Sequence, residues 1–296
     1  SPPASPSPAG TSFPQPSTLN VTYTTPLSRS LAFFTNRLST TNGAVRSTLG
    51  AHQSSSSLIG VNDEVLSESL GLAFNGLAYA NERDLFAREF QFFKQYLLAP
   101  NKLVIWKLNA NLTPYQLANA TIDDLRIVKG LLRGYERFGV AEYRDTALSM
   151  ANALKQYATR NNILVSHVSW NQSGQTSPAD HLILGYADFE AMKMLIPYDA
   201  AWNTILANTV AIVKGGQYGN GLFQDRYRFG GNYYDHDDAQ ISIFQAYVLE
   251  HLAAAGETTA AQPLLIFFKN EWEDRGRIFG RYTSGAHPSV SYEDLS

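Results

Sequence analysis

Three short acidic stretches hold the residues best suited to chemistry in this sequence. Asn62-Asp-Glu-Val-Leu-Ser-Glu-Ser-Leu-Gly71 places Glu68 at the start of an apolar helical run. Ala120-Thr-Ile-Asp-Asp-Leu-Arg126 places Asp123 and Asp124 in the first turn of another, with Thr121 as its N-cap. Tyr233-Tyr-Asp-His-Asp-Asp-Ala239 gathers Asp235, His236, Asp237 and Asp238 ahead of a third. Helix heads favour acids through the macrodipole, so each cluster also has an ordinary capping role. Three such heads can converge at one end of a helical barrel, and carboxyls paired there are the equipment of glycosidic-bond hydrolysis. Glu68 sits between Ser67 and Ser69 and enters Leu70-Gly71-Leu72, the partly desolvated setting that general-acid work requires. The aspartates at 235–238 are too close to ionise independently. A metal site there is disfavoured, because calcium wants more oxygens and zinc more histidines.

The elements that must position these acids follow from apolar spacing and breakers. Helical periodicity covers 27–38, 66–80, 85–98, 121–138, 142–159, 179–195, 200–214, 237–255 and 259–275. An incipient tenth helix opens at 292–296, as though a last helix were cut off. Gly139 is a helix stop, and Asn81-Glu-Arg-Asp84 is a polar turn between two helices. Strand signals are limited to short ribbons at 103–108 and 163–168. Long helix, tight turn, long helix, looser loop is the rhythm of an all-α toroid of antiparallel pairs, although no internal sequence repeat stands out.

Composition narrows the class. The 296 residues are 44% hydrophobic, enough for one large core, and the net charge of −3 advertises no nucleic-acid surface. There is no cysteine, so disulfides and thiolate metal sites are excluded. No run is apolar enough for a membrane span. Residues 1–20 are Pro/Ser-rich and read as a disordered linker, with 21–296 a single domain; such a spacer behind a removed signal or anchor fits an extracellular, periplasmic or envelope protein, here expected as a monomer. Tyr and Phe number 16 each. Trp106, Trp170, Tyr186, Tyr233 and Tyr234 fall in loops or at helix starts near the acids, where aromatic rings can stack on sugars or simply pack.

The acidic motifs resemble glycoside hydrolase family 8, and more closely its compact relatives from bacterial exopolysaccharide systems. Leu66-Ser-Glu-Ser-Leu-Gly-Leu-Ala73 resembles the family's Ser-Glu-x-x-Gly segment, which implies Glu68 as general acid. Ala120-Thr-Ile-Asp-Asp-Leu-Arg-Ile127 resembles its Ala-Thr-Asp-x-Asp-x-x-Ile signature, which implies Asp124, with Asp123 beside it, in holding the sugar or the water. Asp237-Asp-Ala-Gln240 resembles the segment supplying the base, implying Asp238, with Asp235 second. The resemblance further implies an (α/α)6 barrel that cuts a β-linked polysaccharide internally, with inversion and no cofactor. The signature's first aspartate is Ile122 here. That departure motivates an alternative, a catalytically silent polysaccharide-binding relative within an exopolysaccharide synthesis or export system, and a weaker one, an α-glucan-active relative.

Overall fold

A computed structural model describes residues 25–48, 64–235, 240–285 and 288–290. Helix α1 (Pro26–Phe33) starts with a reciprocal cap between Thr25 and Ser28 and runs on as a widened turn through Leu38. Strand β1 (Val65–Leu66) leads directly into α2 (Ser67–Ala80), which Asn81 ends at φ 62°. Helix α3 (Arg83–Phe92) widens in the same way through Leu97, and β2 (Lys107–Leu108) returns to pair with β1. Next come α4 (Thr121–Phe138), stopped by Gly139 at φ 71° as its sequence predicts, and α5 (Ala141–Tyr157). A ribbon of β3 (Thr159–Arg160) with β4 (Ile163–Leu164) precedes a hairpin of β5 (Val168–Trp170) and β6 (Thr176–Pro178). Strand β7 (His181–Ile183) introduces α6 (Phe189–Leu195), followed by α7 (Ala201–Gly215), β8 (Arg226–Arg228) and β9 (Tyr233–Asp235). The last described elements are β10 (Gln240–Ile241), α8 (Ser242–Ala255), α9 (Thr258–Arg275), β11 (Arg281–Tyr282) and β12 (Pro288–Val290).

The described residues thus form nine α-helices, eight of them in four of the inner–outer pairs of an (α/α)6 barrel. Helices α2, α4, α6 and α8 neighbour one another in that order, and each packs against the outer helix that follows it. Inner position explains α4: all but one residue from Thr121 to Gly134 is buried, charged ones included. Three of the four inner heads share a tether. The first N–H of α2, at Ser67, donates to the Trp106 carbonyl, that of α4, at Thr121, to Ser166, and that of α8, at Ser242, to Gly280. In each case the acceptor lies in the segment after the paired outer helix, so the pairs close on themselves and their heads collect at one end.

Three sequence expectations shift here. Thr121 is the first helical residue of α4 rather than its cap; Ala120 holds the cap position and the Thr121 hydroxyl is buried without a partner. The run 179–195 is helical only from Phe189, where the Asp188 carboxylate caps the Ala191 N–H. Residues 181–183 pair instead with β8, because only Leu182 of the three is fully buried and the backbone alternates. Helix α8 likewise starts at Ser242, not at 237. Residues 236–239 and 292–296, with the acids and tenth helix expected there, lie outside the described residues, as do residues 1–24.

A structural repeat does exist, in turns rather than helices, and its one mark in the sequence is a central Asn. Thr40-Thr-Asn-Gly-Ala44, Ala99-Pro-Asn-Lys-Leu103, Asn109-Ala-Asn-Leu-Thr113 and Tyr218-Gly-Asn-Gly-Leu222 adopt one conformation. In each, the first N–H bonds the fifth carbonyl and the fourth N–H bonds the first carbonyl. The central Asn side chain accepts from the fifth N–H in all four. The residue after Asn is left-handed, at φ 89°, 68°, 62° and 94°. Gly suits that conformation, and Lys102 and Leu112 adopt it despite the usual cost.

Candidate active site

Glu68 is the second residue of α2, and its carboxyl stays 38% exposed at the inner-helix heads. Its Oε1 accepts from Arg126 Nη1 of α4 at 2.8 Å and from the Tyr247 hydroxyl of α8 at 3.0 Å. The guanidinium is nearly buried and lies 4.5 Å over the Tyr247 ring, a cation–π contact that fixes both. The same Nη1 is 3.6 Å from Asp123 Oδ1, and Asp123 Oδ2 lies 2.6 Å from the Ser67 hydroxyl. Burial, followed by the nearby Glu68 charge, pushes the Asp123 carboxyl up to about 7. Tyr186, in the turn Leu184–Tyr186 ahead of α6, faces the same two carboxyls and packs edge-on against Phe244 at 5.7 Å. Burial raises its hydroxyl.

Small residues make this convergence possible. A Cβ at Gly71 would lie 3.0 Å from the Arg126 Cβ, and one at Gly130 would lie 2.5 Å from the Phe74 Cβ. At Gly134 it would meet the Phe86 ring at 2.3 Å. Helices α2 and α4 therefore approach to backbone distance, which brings the Arg126 side chain to the head of the neighbouring helix.

Beneath the site a charged column continues into the barrel. Lys129 pairs with Asp188 at 2.6 Å and with Glu190 at 3.3 Å, and Arg133 bonds both Glu190 and Asn75. Burial alone would raise the Asp188 carboxyl; Lys129 and His251 hold it below the usual range. His251 stacks on Tyr247 at 6.3 Å, and its burial pulls the imidazole below its ordinary value.

The other predicted site residues are distributed around this centre. Asp124 is fully buried on the far face of α4, accepting from the Val104 N–H at 3.1 Å and from Asn119 at 3.1 Å. Burial raises its carboxyl well above the carboxylate range. It pins the 99–104 turn, and of the two adjacent aspartates the structure brings Asp123, not Asp124, to Glu68. Trp106 and Trp170 share one ribbon over the heads of α2 and α4, since the Trp106 N–H bonds Ala118 and the Trp170 N–H bonds Leu117. On the sheet β7–β8–β9, pairing puts His181, Arg228 and Tyr233 in one row and Leu182, Tyr227 and Tyr234 in the next. Alternation therefore turns Tyr233 outward, 51% exposed, and Tyr234 inward, where its hydroxyl bonds the Ile212 carbonyl. Asp235 lies on the outward face in ion pairs with Arg228 at 3.0 Å and Arg226 at 3.5 Å. Asp238 falls in the chain between β9 and β10, outside the described residues.

Arg126 and Tyr247 are not among the residues the sequence singles out, and Ser67 enters there only as a neighbour of Glu68. Signals were available. Asp123 and Arg126 are spaced i, i+3, and Phe244, Tyr247 and His251 share one helix face.

A ring of paired inner and outer helices is also the fold of solved family 8 glycoside hydrolases. Endoglucanase Cel10, a family 8 glycosyl hydrolase from Klebsiella pneumoniae, matches 89% of this chain and 84% of its own at TM-score 0.72 and 16% identity. A novel alpha-amylase from Clostridium perfringens matches 88% of this chain and 75% of its own at TM-score 0.75 and 25% identity. In sequence, the chain is 27% identical over 232 residues to the "Putative lipoprotein YdaJ" of Bacillus subtilis, and spans 62% of that protein's length. No family model matches. The chain thus has the family 8 fold.

Proposed function

We propose that this protein is an exported glycoside hydrolase that cuts internal bonds of a β-linked polysaccharide with inversion. The observation carrying this reading is the Glu68 carboxyl, open to solvent yet held by Arg126 and Tyr247 at the mouth of a family 8 barrel. Glu68 delivers a proton to the leaving glycosidic oxygen. A second carboxylate takes a proton from the water that attacks the anomeric carbon from the opposite face, which needs a separation of roughly 6.5–9.5 Å from the acid. Asp238 holds that role by its motif, since Asp235 is engaged by two arginines. Tyr186 and Trp106, beside the acid, supply apolar faces for pyranose rings. No cofactor enters this chemistry. Export is supported by the Pro/Ser-rich start and by the name of the Bacillus relative. An exopolysaccharide as the natural substrate rests on the motif resemblance.

A second reading, cleavage of an α-glucan, is favoured by the likeness to the Clostridium amylase together with Ile122 in the signature. Both are tested by incubating the full chain with β-glucans, xylan, chitosan, acetylated amino-sugar polymers and starch, while following reducing ends and the anomer first formed by proton NMR. Release from a β-linked polymer with an α-configured product supports the first reading. Release from starch alone replaces it with the second. Binding without release on every polymer means a silent module and contradicts both.

A further inference from the structure

The reading of Glu68 as proton donor leaves a difficulty within its own geometry. In the structure the carboxyl is paired with a guanidinium, an arrangement that suits an ionised group, whereas a general acid must arrive protonated. A second carboxyl, Asp123, lies against the same Arg126 nitrogen, 3.6 Å away from it.

We propose that Asp123 stores the proton that Glu68 delivers, and that Arg126 exchanges partners between the two carboxyls as the proton moves. The proposal rests on Glu68 being the donor. In the resting arrangement Asp123 is protonated and Arg126 is committed to Glu68. In the working arrangement Asp123 is ionised and takes Arg126, while Glu68 carries the proton. The O–H bond at Asp123 breaks, a cleft water relays the proton, and an O–H bond forms at Glu68. Net charge does not change; the negative charge passes from Glu68 to the more deeply buried Asp123, where Arg126 meets it as the new ion-pair partner. After transfer to the glycosidic oxygen, Glu68 returns to Arg126, and the proton released by the attacking water restores Asp123 through solvent.

Three observations support this. Arg126 Nη1 already lies between the carboxyls, so the exchange needs a shift of under an ångström or so rather than a new rotamer. Ser67 Oγ stands 2.6 Å from Asp123 Oδ2 and 3.1 Å from the Trp106 carbonyl, which can only accept. With one hydrogen, the hydroxyl serves both contacts when Asp123 donates to it, as a protonated carboxyl does. Burial also favours the neutral form of Asp123 up to about 7. The charged and titratable groups around the pair keep their places throughout: Tyr247 and His251 on α8, Tyr186 before α6, and Lys129 with Asp188 one turn deeper.

The test uses the full chain with 13C-labelled carboxyls, alongside pH profiles of kcat/KM on the polymer it cleaves best. The Asp123 carbon should titrate near pH 7, and the Glu68 carbon should show a step at the same pH that Asp123→Asn abolishes. The alkaline limb of kcat/KM should fall at that pH too, and lie about one unit or more lower in Asp123→Asn. Arg126→Met should move the Asp123 midpoint upward. An Asp123 carbon that has finished titrating below pH 5, or an Asp123→Asn profile with the wild-type limb, overturns the proposal. The NMR arm decides it even if no polymer is cleaved. Full turnover in Glu68→Gln would refute the reading of Glu68 as donor, while leaving the Asp123 titration as its own result.

Discussion

At the level of single residues, the chemistry of the site turns on which carboxyls are buried and what braces them. Glu68 was legible from its motif and place at a helix head. The choice between Asp123 and Asp124 was not, because adjacent residues on a helix point about 100° apart and only packing decides which meets the neighbour. Arg126 was illegible for a related reason: charge in a sequence suggests solvent, and only the inner position of α4 hides it. Glu89 is a second buried acid with a consequence. It accepts from the Ser39 hydroxyl beside Arg88, is wholly buried, and burial pushes its carboxyl up from 4.5 to about 7. Its folded-state value exceeds the unfolded one, so the fold bears no cost from it below about 4.5 and progressively more as pH rises through 7. The stability of Glu89→Gln relative to wild type should therefore improve between pH 5 and pH 8, by at most about 3 kcal/mol. Denaturant midpoints at the two pH values measure this, and an unchanged difference would mean that Glu89 is already ionised at pH 5.

At the scale of elements, helix positions were legible and helix starts less so. Stops at Gly139 and a polar turn after α2 follow from breakers. The regions 179–188 and 237–241 carry helix-compatible apolar residues, but strand pairing with distant segments claims 181–183 and 240–241, and such pairing leaves no local mark. The Asn-centred turns left one, at irregular intervals that hide it from a search for fixed periods. The close approach of α2 and α4 matters most for function. Gly130→Ala must displace the Phe74 side chain or separate the helices, which should cost roughly 1–3 kcal/mol. Because Arg126 sits one turn earlier on α4, turnover should fall together with thermal stability. A Gly130→Ala protein with wild-type melting and turnover would show that the two helices have slack.

At the scale of the whole molecule, the spacing of helices made a toroid of antiparallel pairs readable and the motif resemblance implied six of them; the described residues supply four pairs and α1 of such a ring. The sequence could not show that the heads of α2, α4 and α8 would be tied by their first N–H groups to the segment after the paired outer helix. Those tethers gather the acids at one end. Nor could it show that a connected set of charges, Lys129 with Asp188 and Glu190, would run beneath them through the apolar core. Such a column locks the inner helices in rotation, since moving one would strand a buried charge on its neighbour. That rotation is what aims Glu68, Arg126 and Tyr247 at a common point. The central claim is that this point is where a proton leaves the protein for a glycosidic oxygen. The most direct measurement is turnover of Glu68→Gln on the best polymer of the panel, with melting temperature and polymer affinity followed in parallel. The account predicts wild-type melting and affinity with turnover lower by at least about two orders of magnitude; turnover equal to wild type would contradict it.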